Sequence, residues 1–243
     1  MNKKSDFLQK AHLQKQMGGE SGDGMSGSNL SPHLTQSITR LIEQCEQKAR
    51  QQSPAENGAK PPLTELDVQV GQPLPTVQRL LRGDDPEEST KYLERLLKLD
   101  GKPVASPSTF VKRNIYLLWS IPEQAHQEGL EEKRAQVETL YEKWADSSRK
   151  VSELTAKLRE YLEGIPEADW TEEKIKQVIK PFMSSIHVTA GEKSTSWGWQ
   201  FLRWVVSAGT AGPAVIPSMV FLQKEETLAR VRQAQQVAER MEL

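Results

Sequence analysis

The sequence predicts an all-α fold, and three observations carry the prediction. Apolar residues recur at three- and four-residue spacing in segment after segment. Gly, Pro, Asp and Ser gather between those segments, where turns and helix caps need them. No stretch alternates apolar and polar residues over a strand's length; Asp67–Val70 offers only a short strand pattern. The 243 residues, with 36% apolar and 27% charged content and a net charge of −1, have the length and composition to bury a core.

Taken in order, Asp6–Gln16 reads as a short amphipathic helix, with Phe7, Leu8, Ala11 and Met17 near one face and Gly18-Gly19 ending it. The loop beyond it contains Gly22-Asp23-Gly24-Met25-Ser26-Gly27, a literal dinucleotide fingerprint. That motif works only between a strand and a helix whose N-terminus takes the pyrophosphate, and neither flanks it here, so it reads as a linker. Leu34–Arg50 is a helix with Leu34, Ile38, Leu41, Ile42 and Cys45 on one side, where Cys45 behaves as a small buried hydrophobe. Residues 51–76 are rich in Pro, Gly and Gln and read as an irregular insertion. Helices follow at Val77–Arg82 and Glu87–Leu99, the second closed by Asp100-Gly101-Lys102-Pro103. Ser108–Trp119 reads as one helix, and Gly129–Leu162 as one long periodic helix stopped by Gly164 and Pro166. Asp169-Trp170-Thr171-Glu172 has the form of an N-terminal cap for a helix through Ile175, Val178, Ile179 and Phe182. The expected organisation is residues 1–30 with the loop, a helical part over 31–166 carrying the insertion, and a C-terminal part over 167–243.

Several function classes fall away. Charge is spread as +2 over residues 1–60, −5 over 61–170 and +2 over 171–243, so no global field attracts nucleic acid and only local surfaces could. One cysteine excludes an intrachain disulfide framework and fits a reducing compartment. His12, His33, His126 and His187 show no metal-ligand spacing, and no metal site is expected. Lys193-Ser194-Thr195-Ser196 lacks the glycine frame of a phosphate loop, and neither a zinc-protease motif nor a nucleophile elbow is present. Acidic runs such as Asp84-Asp85-Pro86-Glu87-Glu88 read as solvated surface, and no catalytic residue is assigned.

The C-terminal third breaks the charged pattern: Val205 to Leu222 contains no charged residue. Its length suits a membrane span, but Gly209, Gly212, Pro213 and Pro217 in its middle do not. The N-terminus MNKKSDFLQKAHLQKQ has no apolar signal core and, lacking Arg, makes a poor transit peptide. A bent pair of packed helices is the better reading of the uncharged stretch.

The spacing within that stretch carries a resemblance. Leu202-Arg203, Val205-Val206-Ser207-Ala208, Gly212-Pro213, Ile216 to Leu222, Lys224-Glu225 and Arg230 follow one another without gaps, after a lead-in DWTEEKIKQVIKPFM. This pattern resembles the C-terminal anticodon-binding region of class I glutamyl-tRNA synthetases, of organellar type. The match is dense over residues 169–232 and lighter at Asn2–His12 and in YLLWSIPE (Tyr116 to Glu123). The chain departs from the family pattern at Ser207-Ala208, where the family has Thr-Gly, and at Gln223, where a glycine is common. The signatures H-I-G-H and K-M-S-K-S are absent, so ATP activation is expected to belong to a catalytic domain on a longer or separate chain, with no cofactor and no catalytic activity here.

The resemblance implies an α-helical cage that binds tRNA, specifically glutamate tRNA, with Arg203, Gly212, Pro213 and Val215 contacting the anticodon. Arg203 offers a rigid donor fork for a base edge, or else forms a surface salt bridge. Pro213 and Val215 touch a base or only pack between helices. Lys112, Arg113, Lys224 and Arg230 are candidates for the tRNA backbone, the last two equally for helix-end pairing. Trp197, Trp199 and Trp204 suit base stacking, but an aromatic cluster beside an apolar helix is more often core. The insertion and divergent spacing favour mitochondria over the cytoplasm as the compartment. The competing reading is a helical protein-interaction module without RNA.

Overall fold

The computed structural model describes residues 32–51, 70–82, 86–143, 150–185 and 195–241, and among them there are ten α-helices, one 3-10 turn and no strand. The expected helix at 6–16, the loop after it and most of the insertion lie outside the described residues. Helix α1 (Pro32–Gln51) buries Ile38, Ile42 and Cys45, following the spacing of its apolar residues. Helices α2 (Pro75–Arg82) and α3 (Pro86–Asp100) follow, each opening on a proline whose missing N–H the first turn does not need.

The end of the supposed irregular insertion is pinned rather than loose. Gly71 N–H donates to Ser120 O at 3.0 Å, Ser120 N–H to Gln72 O at 2.8 Å and Leu74 N–H to Leu118 O at 3.0 Å, while Val70 and Leu74 are buried. Pro73 and Trp119 form an isolated antiparallel bridge. Side-chain burial and backbone pairing with a distant segment thus order residues whose composition signalled only loop.

Two expected helices are divided. Ser108–Trp119 becomes α4 (Pro107–Arg113) and α5 (Ile115–Leu118), separated by Asn114 at φ −110°, ψ 18°. Ser106 caps α4 by accepting from Thr109 N–H at 3.2 Å, and the Asn114 amide turns back on Phe110 O at 2.9 Å, competing for a helix carbonyl. The long helix becomes α6 (Glu123–Lys143) and α7 (Val151–Glu163), the second entered from Lys150, which is extended at ψ 155°. Gly129 is interior to α6 instead of opening a helix. A Cβ there would lie 2.6 Å from Ala208 O, so the missing side chain lets the end of a later helix approach.

A 3-10 turn at Glu167–Asp169 leads into the expected cap, where Thr171 accepts from Lys174 N–H at 3.3 Å at the start of α8 (Glu172–Ser185). Helices α9 (Thr195–Ser207) and α10 (Val215–Arg240) take up the uncharged stretch as a bent pair. No described helix is long and apolar enough to cross a membrane. Helix α10 packs against α7, α9, α6 and α8, and its Ile216, Met219, Val231, Ala234 and Val237 sit in the core with Leu154, Leu158 and Leu162 of α7. Burial of these side chains, at roughly 1.5–3 kcal/mol each, is what holds the α9–α10 pair in place.

Within α10 the backbone breaks at Gln223, φ 68° and ψ 168°, a region that glycine alone enters readily. Thr227 Oγ1 spans the break, with Met219 O at 3.2 Å and Gln223 O at 2.8 Å. The strained position is the one where the resembled family commonly has glycine. Replacing Gln223 by Gly is therefore expected to stabilise the protein by about 1 kcal/mol, strain relief exceeding the added backbone entropy. A denaturant melt would show a raised midpoint; an unchanged or lowered midpoint contradicts the strain.

Candidate nucleic-acid interface

Helix α9 ends where Ala208 (φ 51°) and Gly209 (φ 81°) turn the chain back on itself. Gly209 accepts this conformation freely, and Ala208 adopts it at a steric cost of roughly 1–2 kcal/mol. The turn closes on its own polar groups: Gly209 N–H donates to Arg203 O at 3.3 Å and Thr210 N–H to Ser207 O at 2.9 Å. Ser207 Oγ donates to Arg203 O at 2.9 Å and to Thr210 O at 3.2 Å.

Arg203 lies one face inward of this turn, half-buried. Its Nη1 reaches Thr210 O at 3.4 Å and its Nη2 donates to Pro213 O at 3.0 Å. Among the described residues no carboxylate pairs with it, and burial alone pushes its pKa down from the ordinary arginine value, the mark of a cation short of solvent and of a counter-charge. Arginine stays protonated regardless, so an acceptor-rich group arriving at this corner gains an electrostatic partner.

The corner is exposed at Gly209, Ala211 and Ala214, and Gly212 and Pro213 are partly so. Gly212 runs against α4: a Cβ on it would sit 3.0 Å from Arg113 O. Val215 begins α10 and is buried, yet it still lines a narrow pocket with Asn114, Arg203, Thr210, Gly212 and Pro213. The four anticodon candidates Arg203, Gly212, Pro213 and Val215 are thus brought together, with Arg113 beside them.

The backbone candidates are scattered. Arg113 also borders the pocket, but its guanidinium is held bidentately by the buried Asp100 carboxylate, with Nε to Oδ1 at 2.6 Å. That bond raises its pKa further. Lys112 is exposed on α4 and has no ion-pair partner among the described residues. Lys224 is turned inward over the C-terminal end of α7, donating to Glu163 O at 3.0 Å and Ile165 O at 2.5 Å. Arg230 is 2% exposed and sits inside the protein, donating to Glu226 Oε1 at 2.8 Å, Val206 O at 2.7 Å and Trp119 O at 3.3 Å. Lys224 and Arg230 thus occupy helix-end pairing positions, and Arg230 does not reach the surface where a phosphate would lie.

The aromatic cluster divides as well. Trp204 is core, its Nε1 donating to His126 O at 2.9 Å, whereas Trp199 is 49% exposed one helical turn before Arg203; the Trp197 side chain lies outside the described residues. Sequence reasoning passed over Asn114, which is 1% exposed, lines the pocket and has an Oδ1 without a partner among the described residues. Only the weak helix propensity of Asn within Ser108–Trp119 hinted at a break there. No metal-binding cluster occurs among the described residues.

A family model described as an anticodon binding domain matches residues 77–235, from α2 nearly to the end of α10. No curated protein and no solved structure matches the chain.

Next to α9 lies a buried imidazole whose burial the sequence did not mark. His126 is fully buried, its Nε2 lies 3.1 Å from Val205 O, and its Nδ1 has no partner among the described residues. This geometry assigns the neutral ring with its proton on Nε2. Burial, helped by the nearby Arg230 cation, lowers its pKa to about 4, against the opposing pull of the Val205 carbonyl. The unfolded chain takes up this proton near pH 6.5 and the folded chain only near 4, so stability is complete above the first value and declines as pH falls toward the second. The decline is expected to be about 2–3 kcal/mol and to be absent in His126→Gln. Denaturant melts between pH 7 and 4 check this; equal slopes in the two proteins would contradict it.

Proposed function

Since the chain belongs to the anticodon-binding-domain family across residues 77–235, we propose that it is the tRNA-recognising part of a glutamate–tRNA ligase. In this reading it holds the anticodon of glutamate tRNA at the α9–α10 corner and serves a catalytic domain on a longer or separate chain. One observation carries the reading. Arg203 is fixed against a solvent-facing turn by main-chain carbonyls, with no carboxylate neutralising it among the described residues. A guanidinium so held keeps its plane and direction before RNA arrives, which suits a bidentate contact with an unstacked base.

Nearby groups support the same use. The exposed Trp199 ring, one turn from Arg203, offers a face on which a splayed base can stack, and Lys112 adds positive charge on α4. The unbroken spacing from Leu202 to Arg230 is what favours glutamate tRNA over other tRNAs, and the Pro-, Gly- and Gln-rich tract at 51–76 favours a mitochondrial member.

A gel-shift titration at fixed salt, with glutamate tRNA and a non-cognate tRNA, tests the reading. The cognate tRNA is expected to bind more tightly, and Arg203→Ala to weaken that complex by about 1–3 kcal/mol while the variant stays folded. Equal weak binding of both tRNAs would turn the reading toward a helical protein-interaction module. Unchanged affinity in the variant would remove Arg203 from base recognition.

A further inference from the structure

A larger hollow lies beside the corner, bounded by α2, α3 and the part of α10 around its break. Its volume of about 450 Å³ falls within the range of about 300–1,000 Å³ usual for ligand clefts. The cleft and the corner pocket share a wall. Tyr92 and Glu226 line the cleft; Tyr92 Oη donates to Leu117 O at 2.5 Å, and Arg230 Nε donates to Glu226 Oε1 at 2.8 Å, Leu117 and Arg230 both lining the corner pocket. Gln223 also lines the cleft, exposed and held at its unfavourable positive φ, a kind of strain that native proteins concentrate at ligand-holding places.

The charges on this wall are unequally matched. Lys91 pairs with Glu87 at 2.8 Å and reaches Glu88 at 3.6 Å, while Glu226 is taken by Arg230. Arg79 and Arg95 line the cleft, are exposed and have no carboxylate partner among the described residues; Glu225 likewise has no cation. Two unpaired arginines against one unpaired glutamate leave a surplus of one positive charge. That surplus suits a single negative charge per unit, as in the phosphodiester of an RNA strand. The several charges of a triphosphate would meet Glu88, Glu225 and Glu226 as well.

Arg95 adds a flat surface. Its Cζ stands 5.5 Å from the centroid of the Phe221 ring, and Tyr92 packs on that ring with centroids 5.1 Å apart. Tyr92 is itself fixed by its bond to Leu117 O, so the guanidinium rests on a braced aromatic pair. Unpaired bases stack on guanidinium planes as they do on rings. An acidic peptide would use the charge but not the plane.

We propose that the α2–α3–α10 cleft is a second RNA contact, in which Arg79 takes one backbone phosphate and Arg95 presents its plane to an adjoining unpaired base. This rests on the reading of the chain as a tRNA-binding part. The corner reads the anticodon, and the cleft beside it holds the strand without regard to sequence.

Gel-shift titrations of the intact chain and two variants, with glutamate tRNA and a non-cognate tRNA over about 50–200 mM salt, test this. Arg79→Ala is expected to weaken both complexes by the same factor, about fivefold. It should also make the fall of log affinity with log salt shallower by about 0.7, the share of one single-strand phosphate. Arg95→Lys keeps the charge and loses the plane, and is expected to weaken both complexes about fivefold with the slope unchanged. Both positions are exposed, and circular-dichroism melts matching the intact chain verify that the variants fold. Unchanged affinity and slope in Arg79→Ala, or full affinity in Arg95→Lys, overturns the proposal and leaves the role of the corner standing. Weakening by Arg79→Ala of the glutamate complex alone overturns it too, because a phosphate contact carries no sequence. Tighter binding of a polyglutamate peptide than of either tRNA, lost in Arg79→Ala, assigns the cleft to an acidic protein and overturns it as well. Failure of the intact chain to bind any tRNA overturns both this contact and the function proposed above.

Discussion

The Arg230 guanidinium, buried in the centre of the protein, is the interaction on which the arrangement of the other helices depends. A charge taken out of water is unfavourable by several kcal/mol unless it is paired and hydrogen-bonded, and Arg230 is both. It pairs with Glu226 on its own helix and donates to Val206 O in the last turn of α9 and Trp119 O at the end of α5. Both carbonyls lie at helix C-terminal ends, where the backbone dipoles favour a cation. Three helices are therefore indexed to one planar group, and small displacements of any of them would leave a buried donor or acceptor unmet. The same cation helps hold His126 neutral, and it lies close enough to Tyr92 and Tyr116 to temper the upward shift that burial gives their hydroxyls.

From this anchor the surface corner follows. Fixing the end of α9 fixes Arg203, one turn earlier, and the turn that reverses into α10. Lys224 sets the other side by covering the free carbonyls at the end of α7, just beyond the break at Gln223. Gly129 lets α6 approach the turn within a distance that a side chain would prevent, and Gly212 gives the turn a tight approach to Arg113 O of α4. The protein accepts unfavourable backbone at Ala208 and Gln223, where surrounding contacts overdetermine the path. The outcome is a partly buried cation held in one direction by carbonyls beside a small pocket.

Much of this was legible in the chain. The helical fold, the buried faces of α1, α7 and α8, and the bent pair made from an uncharged stretch all follow from apolar spacing and the placement of Gly and Pro. The gathering of Arg203 with Gly212, Pro213 and Val215 followed from their spacing through the resemblance. What was not legible depended on contacts distant in sequence. Arg230 looks like any surface arginine until Val206 and Trp119 are brought beside it. Asn114 breaks a helix for a local reason, its amide hydrogen bond to Phe110 O, that a strong apolar period hides. The pairing of Val70–Leu74 with Leu118–Ser120 needs a partner segment that composition cannot reveal.

The central claim is that the α9–α10 corner meets an unstacked anticodon, and a nuclease footprint of glutamate tRNA bound to this chain tests it most directly. Protection confined to the anticodon loop is the expected pattern, strongest at the nucleotides nearest Arg203. Protection confined to the acceptor stem, or a footprint identical on every tRNA, would contradict the account.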